Sequence, residues 1–343
     1  MRPPMARIFI ASPALRSANN GNWQTAYRWF RFLRTGYQVS LGAEWPAAEP
    51  LQEPPACLIA LHARRSAPTI ARFADACPDR PLVVVLTGTD LYRDIRVDDS
   101  ARRSLDLATH LVVLQEEGLA EMPAAHRAKC RVIYQSAPAP KSDIPAIRGR
   151  RTFDVVLVGH MRTEKDPRTP MRALERLPDD SRVRLIHIGR ALEEEYRLAA
   201  QALQARTWPT VQRYVWDGGL SHGATLRRIA NADAMVISSV MEGGANVIIE
   251  AVNAGVPVLA SCIPGNVGML GRDYDGYFPP GDDQALARLL DRVSRDCAFL
   301  TALQKQCTRR APLFAPAREE ADVTGLISDA LAQRSQSAGA RSG

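Results

Sequence analysis

Two successive series of short apolar runs, separated by helix-like segments, constrain what this chain can fold into. The first series lies at residues 7–11, 58–61, 82–86, 111–114 and 131–134 and is rich in Val, Leu and Ile. These runs lack the polar alternation of half-exposed strands, which is typical of parallel strands buried on both faces. Their alternation with helical segments, such as residues 23–33, predicts a doubly wound α/β sheet.

The second half of the chain has the same pattern. Its apolar runs lie at residues 153–158, 183–188, 211–216, 234–237 and 256–260, and residues 282–293 form an amphipathic helical pattern. A length of 343 residues fits two α/β domains of about 150 residues each.

The domain boundaries follow from the segments that lack such runs. We predict an N-terminal domain over 1–140, a linker over 141–152 without apolar periodicity, and a C-terminal domain over 153–314. A last helix, at about 315–333, is expected to pack back on the first domain. The Ser/Gly/Ala-rich tail 335–343 is expected to be disordered.

Charge and cysteine usage bound the partners. Lys and Arg number 44 against 37 Asp and Glu, a net charge of +7 in which Arg dominates. Arg suits planar recognition of phosphate, so an anionic small molecule is expected, although a solvated basic surface would give the same count. No dense basic block is interleaved with aromatic residues, so a nucleic-acid partner is not expected.

The cellular setting is predicted from similar absences. The six cysteines form no C-x-x-C pair, and several lie in apolar runs, which favours a reducing cytoplasm. The N-terminus lacks the apolar core of a signal peptide, and no apolar stretch approaches the roughly 18 residues of a membrane span. A cytoplasmic protein without a membrane partner is predicted.

A pair of glutamates follows the run 234–237. Glu242 lies in the loop and Glu250 lies one turn inside a helix predicted to begin near Asn246. Gly243 and Gly244 allow a close backbone approach to a ligand, and the N–H groups of a helix start suit a phosphate. The residues assigned to this site are Gly243, Gly244, Ala245, Asn246 and Glu250, with Glu242 at its far end. A capped helix with a solvent-exposed glutamate is the alternative.

Two cations follow the run 153–158. Gly159 begins the loop, and Arg162 and Lys165 emerge from it together. Two cations at a strand end can neutralise a diphosphate and support its departure. An exposed loop with an internal Glu164–Lys165 charge pair is the plainer alternative.

Loops in the first half supply polar groups at two further strand ends. Asn19, Asn20 and Gly21 form a polar turn before a helix that carries Arg28, although an ordinary Asn-Gly turn would look the same. No G-x-G-x-x-G is present, which disfavours a nicotinamide site.

The turn at 87–90 follows the run 82–86. Asp90 in this turn could position a nucleophile or simply cap the next helix, and Arg93 could bind an anion.

These motifs, in this order, resemble those of family 4 glycosyltransferases of the GT-B fold, which have two Rossmann-like domains facing a central cleft. The resemblance covers most of the chain and is strongest from 153 to about 281. It implies that Glu250 binds the nucleotide ribose and Glu242 the donor sugar. It also implies that the amides near 243–246 bind the distal phosphate, and that Arg162 and Lys165 bind the diphosphate.

One departure concerns the turn after the fourth strand. Many family members carry a His where this chain has Thr87, which puts catalysis by such a His in doubt. An acceptor that is already an anion would not need a general base.

Three longer strings, at 19–26, 86–94 and 265–279, resemble the selenosugar synthases of selenoneine biosynthesis. This resemblance implies transfer of a hexose from UDP-glucose or UDP-N-acetylglucosamine to selenophosphate. No metal or other cofactor is expected, because Arg162 and Lys165 can take the place of a metal and no paired-Asp motif is present. The residues expected to act in catalysis are Arg162, Lys165, Glu242 and Asp90. The residues expected to bind the acceptor are Asn19, Asn20, Gly21, Arg28, Thr87 and Arg93.

Three alternatives remain open at this point. The chain could transfer sugar to an ordinary hydroxyl acceptor, bind nucleotide sugars without catalysis, or epimerise UDP-N-acetylglucosamine. The intact set of Arg162, Lys165, Glu242 and Glu250 argues against lost catalysis.

Overall fold

The chain divides into two units, each built on its own parallel sheet. The computed structural model describes residues 5–15, 21–46, 53–138 and 151–340, with side chains up to residue 333. Unit 1 runs to Ser136 and takes up the chain again from Ala315, and unit 2 spans Ala137–Phe314. Apart from residues 151 and 152, the predicted linker 141–152 lies outside the described residues.

Unit 1 contains a six-stranded sheet in the order β2-β1-β3-β4-β5-β6, with all pairings parallel. The strands are β1 Arg7–Ala11, β2 Gln38–Gly42, β3 Cys57–Leu61, β4 Leu82–Val85, β5 His110–Val113 and β6 Cys130–Val132. Five of them lie at the predicted apolar runs. The edge strand β2 was missed, because a strand paired on one side only can alternate polar and apolar residues, as Gln38–Gly42 does.

Helices cover both faces of this sheet. One face packs against α1 through Ala26 and Trp29, and the opposite face packs against Phe73 of α2 and Leu105 of α4. The first six helices are α1 Gly21–Leu33, α2 Ala67–Ala76, α3 Ile95–Val97, α4 Asp99–Leu107, α5 Gly118–Glu121 and α6 Ala124–Arg127. A π-helical turn, Asp90–Asp94, lies between β4 and α3.

Unit 2 repeats the arrangement with the order β12-β11-β10-β7-β8-β9, again with all pairings parallel. Its strands are β7 Phe153–Val158, β8 Val183–Ile188, β9 Tyr214–Gly218, β10 Ala234–Ile237, β11 Val258–Ser261 and β12 Tyr277–Phe278. All five predicted runs become strands, and only the two-residue edge strand β12 was missed. A strand this short leaves no periodic pattern to detect.

Helices follow most strands of unit 2. They are α7 Arg168–Glu175, α8 Glu194–Ala205, α9 His222–Ala230, α10 Asn246–Asn253, α11 Pro264–Leu270, α12 Asp283–Arg295 and α13 Cys297–Arg310. The predicted amphipathic helix is α12, and the Asp282 carboxylate caps it by accepting the backbone N–H of Ala285.

The last helix, α14 Pro316–Ala340, belongs to unit 1. Its residues Val323, Leu326 and Ile327 are buried in the same core cluster as Trp29 of α1. The expectation of a disordered tail over 335–343 was wrong for 335–340, because the anchored helix continues through a stretch without proline. Residues 341–343 lie outside the described residues.

Each sheet reverses its strand order at one point. In unit 1 the chain moves from β1 to β2 and then to β3 on the other side of β1, and in unit 2 β10 returns beside β7 after β8 and β9. Ligands of open α/β sheets bind at the carboxyl ends of the strands at such reversals. The loops after β7 and β10, and those after β1 and β3, are therefore the places where a site is expected.

Candidate functional site

The loops after β7 and β10 are locked together at the strand reversal of unit 2. The Ser238 hydroxyl donates to the backbone carbonyls of Lys165, at 3.0 Å, and Asp166, at 2.8 Å. The Val240 N–H donates to the carbonyl of Glu164 at 3.0 Å. The sequence-predicted cations and the first glutamate are thus carried on one rigid edge.

Lys165 and Glu242 form a direct ion pair at this edge. The Lys165 ammonium donates to Glu242 Oε1, which also accepts the Ser239 hydroxyl at 2.6 Å. The Glu242 side chain is only 11% exposed. The sequence analysis assigned these two residues to the diphosphate and the sugar separately, and the structure joins them, so the cation fixes the direction of the carboxylate.

The start of α11 braces the Glu242 loop from below. A Cβ on Gly265 would lie 1.9 Å from the Glu242 carbonyl oxygen, so only glycine fits there. The Ser261 hydroxyl donates to the Ser239 carbonyl at 2.6 Å, and the buried Asn266 amide donates to the Ser261 carbonyl at 2.9 Å. The sequence analysis used the string 265–279 only for a family resemblance. The structure shows that Gly265, in this string, supports the Glu242 loop by close backbone contact.

The second glutamate lies where the E-x7-E spacing predicted. Helix α10 begins at Asn246, with Ala245 extended before it and Gly243 and Gly244 in the preceding turn. Glu250 is one turn inside, mostly buried, and its Oε1 accepts a hydrogen bond from His222 Nε2 at 2.8 Å.

His222, the first residue of α9, was not predicted as a site residue. Its hydrogen bond to Glu250 is the main cause of its raised pKa, which burial partly opposes. A proline-free N-terminal turn carrying Ser221 and His222 gave no distinctive signal in the sequence. Its proximity to Glu250 arises only because α9 and α10 pack against each other.

Arg190 is a third cation near Arg162 and Lys165, and all three act on His160. Burial lowers the pKa of His160, and the charges of Arg190, Arg162 and Lys165 lower it further. His160 Nδ1 accepts the backbone N–H of Arg190 at 3.0 Å, which ties the loop after β8 to the loop after β7. The sequence analysis missed Arg190, which directly follows Gly189 at the end of a predicted strand.

Gly159 and Arg162 occupy the positions expected of loop residues after β7. The Gly159 carbonyl accepts a hydrogen bond from the buried His187 at 3.2 Å. A Cβ on Gly189 would lie 1.9 Å from that carbonyl, so the two loops approach backbone to backbone. Arg162 is partly exposed, with its Nε 3.9 Å from Glu164, which leaves the guanidinium at the surface of the edge.

In unit 1, Asp90 has a structural role that the sequence analysis did not give it. Its Oδ1 accepts the N–H groups of Thr87 and Gly88, both at 2.9 Å, and its Oδ2 accepts the Ala63 N–H at 2.9 Å. The side chain is fully buried. Backbone amides at two strand ends occupy its carboxylate, and the action of Asp90 on a nucleophile stays a prediction.

Arg28 also has a structural partner within unit 1. Its Nε donates to Glu319 Oε2 at 2.5 Å, and Nη2 is buried without a hydrogen-bond partner among the described residues. The same buried carboxylate accepts Trp29 Nε1 at 2.8 Å and the Ser136 hydroxyl at 2.6 Å. Arg28 therefore fastens α1 to α14, and its contact with an acceptor stays a prediction.

The remaining predicted acceptor residues differ in what the structure describes. Asn19 and Asn20 lie outside the described residues, and Gly21 begins α1. Thr87 is partly exposed, with its hydroxyl 3.5 Å from Asp90 Oδ1. Arg93 is exposed, and its Nε donates to Asp94 Oδ1 at 3.0 Å.

The described residues contain neither a cluster of metal ligands nor a membrane-spanning helix. No three His, Cys, Asp or Glu side chains among them come together as metal ligands. No helix in the same part of the chain combines the length and the apolar character that crossing a bilayer requires.

The sequence of unit 2 matches a known protein family along most of its length. Residues 144–313 match the family described as glycosyl transferases group 1, which covers nearly all of Ala137–Phe314. Unit 2 is therefore similar in sequence to group 1 glycosyltransferase domains. Among curated proteins, none matches the sequence.

Solved glycosyltransferase structures share the fold of both units. Sucrose-phosphate synthase from Thermosynechococcus elongatus is 18% identical with a TM-score of 0.77, covering 96% of this chain and 100% of its own. Anabaena HepE, solved with UDP-glucose, is 17% identical with a TM-score of 0.72, covering 95% and 100%. WaaG, a glycosyltransferase of lipopolysaccharide biosynthesis, is 15% identical with a TM-score of 0.66, covering 93% and 100%. The predicted two-domain α/β GT-B fold is confirmed.

Proposed function

We propose that this glycosyltransferase moves a hexose from UDP-glucose or UDP-N-acetylglucosamine to selenophosphate, forming a 1-selenosugar. The observation that carries the donor half is the pair of oriented carboxylates, Glu242 held by Lys165 and Glu250 held by His222. Among the described residues no donor contacts Oε2 of either one, so each has an oxygen left for ligand hydroxyls. Their spacing around the start of α10 suits a sugar at one end and a ribose at the other.

The cations supply the second part of the proposal. Burial is the main cause of the lowered pKa of His160, and the charges of Arg190, Arg162 and Lys165 lower it further, which places three cations near this edge of unit 2. Preorganised positive charge stabilises a departing diphosphate without reorganisation at the moment of reaction. HepE was solved with UDP-glucose and with UDP, which is consistent with a UDP-sugar donor.

The acceptor half depends on the first unit. Thr87 stands where many family members have a His, and the fully buried Asp90 is occupied by backbone amides. A hydroxyl acceptor would need a base at this place, whereas an anionic selenium nucleophile would not. The resemblance of 19–26, 86–94 and 265–279 to selenosugar synthases supports the same acceptor.

The chemistry balances with water as the only further reactant. A selenium lone pair forms the bond to the anomeric carbon, and the carbon–oxygen bond breaks with its electron pair leaving on UDP. Water then opens the Se–P bond, which releases phosphate and leaves the selenol on the sugar. The protein supplies position and charge, and no redox step or metal enters the scheme.

Mass spectrometry of the purified protein with either UDP-sugar, freshly generated selenophosphate and EDTA tests this function. A selenohexose formed together with UDP is the expected result. Glu250→Ala should abolish most of it by weakening UDP binding, while the matched variant Glu195→Ala, at an exposed ion pair on α8, should not.

The other outcomes distinguish the alternatives. Transfer to sugar or lipid alcohols with none to selenophosphate would identify a hydroxyl-acceptor enzyme and refute the proposal. Binding of UDP-sugar without any turnover would indicate a nucleotide-sugar-binding protein. A changed sugar without an acceptor would indicate an epimerase.

A further inference from the structure

The strand reversal of unit 1 carries a cluster of polar side chains outside the donor site. It lies on the loop after β3, which contains His62 and Arg64, and on the turn after β4, which contains Thr89 and leads to Arg93 and Asp94. Adjacent parallel strands end at the same edge, so these two segments meet there. The sequence analysis considered the turn after β4 but not the loop after β3.

Asp94 anchors two guanidinium groups side by side. Arg64 Nε donates to its Oδ2 at 2.7 Å, and Arg93 Nε donates to its Oδ1 at 3.0 Å. The Asp94 side chain is 4% exposed, whereas those of Arg64 and Arg93 are 39% and 44% exposed. The carboxylate is therefore beneath the surface, and the two cations that it orients reach solvent.

The protonation of Asp94 is consistent with this arrangement. Burial alone would raise its pKa, but the hydrogen bonds and charges of Arg64 and Arg93 outweigh burial and lower it. Asp94 therefore orients both guanidiniums as a carboxylate, and the charges of Asp98 and Asp90 act on Arg64 as well.

Thr89 adds a directed hydroxyl to the same cluster. The backbone N–H of Arg65 donates to His62 Nδ1 at 3.3 Å, which assigns the proton of the neutral ring to Nε2. His62 Nε2 lies 3.0 Å from Thr89 Oγ1 and 4.0 Å from Asp94 Oδ2. Burial lowers the pKa of His62, which keeps the ring neutral. The ring therefore donates to Thr89, whose own O–H is turned to another acceptor.

The backbone at His62 shows that the loop is built around this ring. Its φ is +71°, a left-handed conformation that side chains other than glycine adopt uncommonly. The ring is almost fully buried, so it does not touch a ligand itself. His62 is a positioning residue for Thr89.

We infer that Arg64, Arg93 and the Thr89 hydroxyl form a binding site for a tetrahedral, phosphate-type dianion. Guanidinium groups match the oxygens of such an anion in geometry as well as charge, and a hydroxyl donor can complete the set. The inference rests on the proposed function, in which these groups would hold the phosphoryl oxygens of selenophosphate and leave selenium free to attack. It replaces Arg28, which pairs with Glu319, by Arg64 in the acceptor set.

Binding of inorganic thiophosphate to the full-length protein, measured by calorimetry in the absence of a sugar donor, tests the site directly. Arg64→Gln and Arg93→Gln should each weaken thiophosphate binding about tenfold, and Thr89→Val should weaken it several-fold, since each removes one donor to a charged ligand. Arg64→Lys, which keeps the charge but loses the planar fork, should fall between wild type and Arg64→Gln.

Two controls separate the site from folding and from the donor half. Arg102→Gln removes a comparably exposed guanidinium that pairs with Asp99 on α4, and it should leave thiophosphate affinity unchanged. All variants should melt at the wild-type temperature, which shows that they are folded, and they should bind UDP as the wild type does, which shows that the donor half in unit 2 is intact. The KM for selenophosphate should rise in parallel with the Kd for thiophosphate.

The outcomes are distinguishable. Wild-type thiophosphate affinity in both arginine variants, or no thiophosphate binding by the wild type, would overturn the inference, even if selenosugar is formed. Loss of affinity in these variants without selenosugar formation by the wild type would retain the anion site and refute the proposed acceptor.

Discussion

Gly265→Ala is expected to disturb sugar binding without touching any ligand contact. The added methyl would lie 1.9 Å from the Glu242 carbonyl oxygen and 2.8 Å from its carbonyl carbon. A Cβ essentially never comes closer than 3.0 Å, so the start of α11 and the Glu242 loop would have to separate by about 1 Å. Both partners are backbone, so no side-chain rotation can relieve the contact.

The expected loss of activity follows from the displacement of the Glu242 backbone. The Glu242 carboxylate is held by Lys165 and Ser239, and a shift of its backbone moves it relative to both. A misplacement of about 1 Å in a positioning element can cost about 100-fold in rate, so kcat/KM for the UDP-sugar should fall by about that factor. The free energy of unfolding should fall by about 1–3 kcal/mol from overpacking.

Calorimetry and initial rates, measured on the same preparation, check this prediction. UDP affinity should change less than about threefold, because the ribose contact assigned to Glu250 lies on a different helix, and threefold is only about 0.7 kcal/mol. Gly325→Ala is the matched control, since its Cβ meets nothing within 4 Å. A wild-type kcat/KM in Gly265→Ala, or equal losses for UDP and UDP-sugar, would refute the assigned role of Glu242.

Two further predictions concern ion pairs. His222→Asn should lower the melting temperature more at about pH 5.5 than at about pH 8.5. The reason is that Glu250 raises the folded-state pKa of His222. The stabilisation is therefore complete below the ordinary pKa of about 6.5 and is lost as pH rises through the raised pKa. A pH-independent difference between wild type and variant would contradict this pairing. Glu319→Gln should lower the free energy of unfolding by about 3 kcal/mol in urea denaturation, since it leaves Arg28 partly buried without its charge partner. The loss of unfolding free energy caused by Glu319→Gln should be smaller in an Arg28→Gln background than in the wild type. An equal loss in both backgrounds would show that the ion pair is not the cause.

The strands were predictable because a strand buried on both faces appears in the sequence as a continuous run of apolar residues. Runs such as 153–158 and 183–188 need no information from the rest of the chain, and their bounds agree with β7 and β8 residue for residue. The strand β2 shows the limit of this signal. It is an edge strand with partly exposed residues, and its place beside β1 is set by pairing that a local pattern does not encode.

The positions of the residues assigned to the donor site were predictable for a related reason. Gly159, Lys165, Glu242 and Glu250 all follow strands at the reversal point, and a strand end can be located from sequence alone. Arg190 and His222 were missed because nothing local marks them. The field of Arg190 at His160, and the contact of His222 with Glu250, arise from strands and helices that meet only in the folded unit.

The structural roles of Arg28 and Asp90 could not be predicted, for a different physical reason. Arg28 and Glu319 are 291 positions apart, and no local pattern reveals that one neutralises the other. Asp90 follows a strand end as the donor residues do, but it turns inward because the amides of Thr87, Gly88 and Ala63 need an acceptor. A polar residue at a strand end can serve the backbone as readily as a ligand, and only burial distinguishes the two.

The two units differ in which charged side chains are buried and which reach solvent. In unit 2 the carboxylates Glu242 and Glu250 are steered by cationic partners and keep one oxygen each for hydroxyl groups, which suits a sugar and a ribose. In unit 1 the order is inverted: Asp94 is buried and the guanidiniums of Arg64 and Arg93 reach solvent. A hydroxyl acceptor would be better served by exposed carboxylates or amides, because a sugar hydroxyl must donate its proton in the reaction. The inversion therefore favours an anionic acceptor, and it would lose its force if thiophosphate and a neutral sugar bound unit 1 equally well.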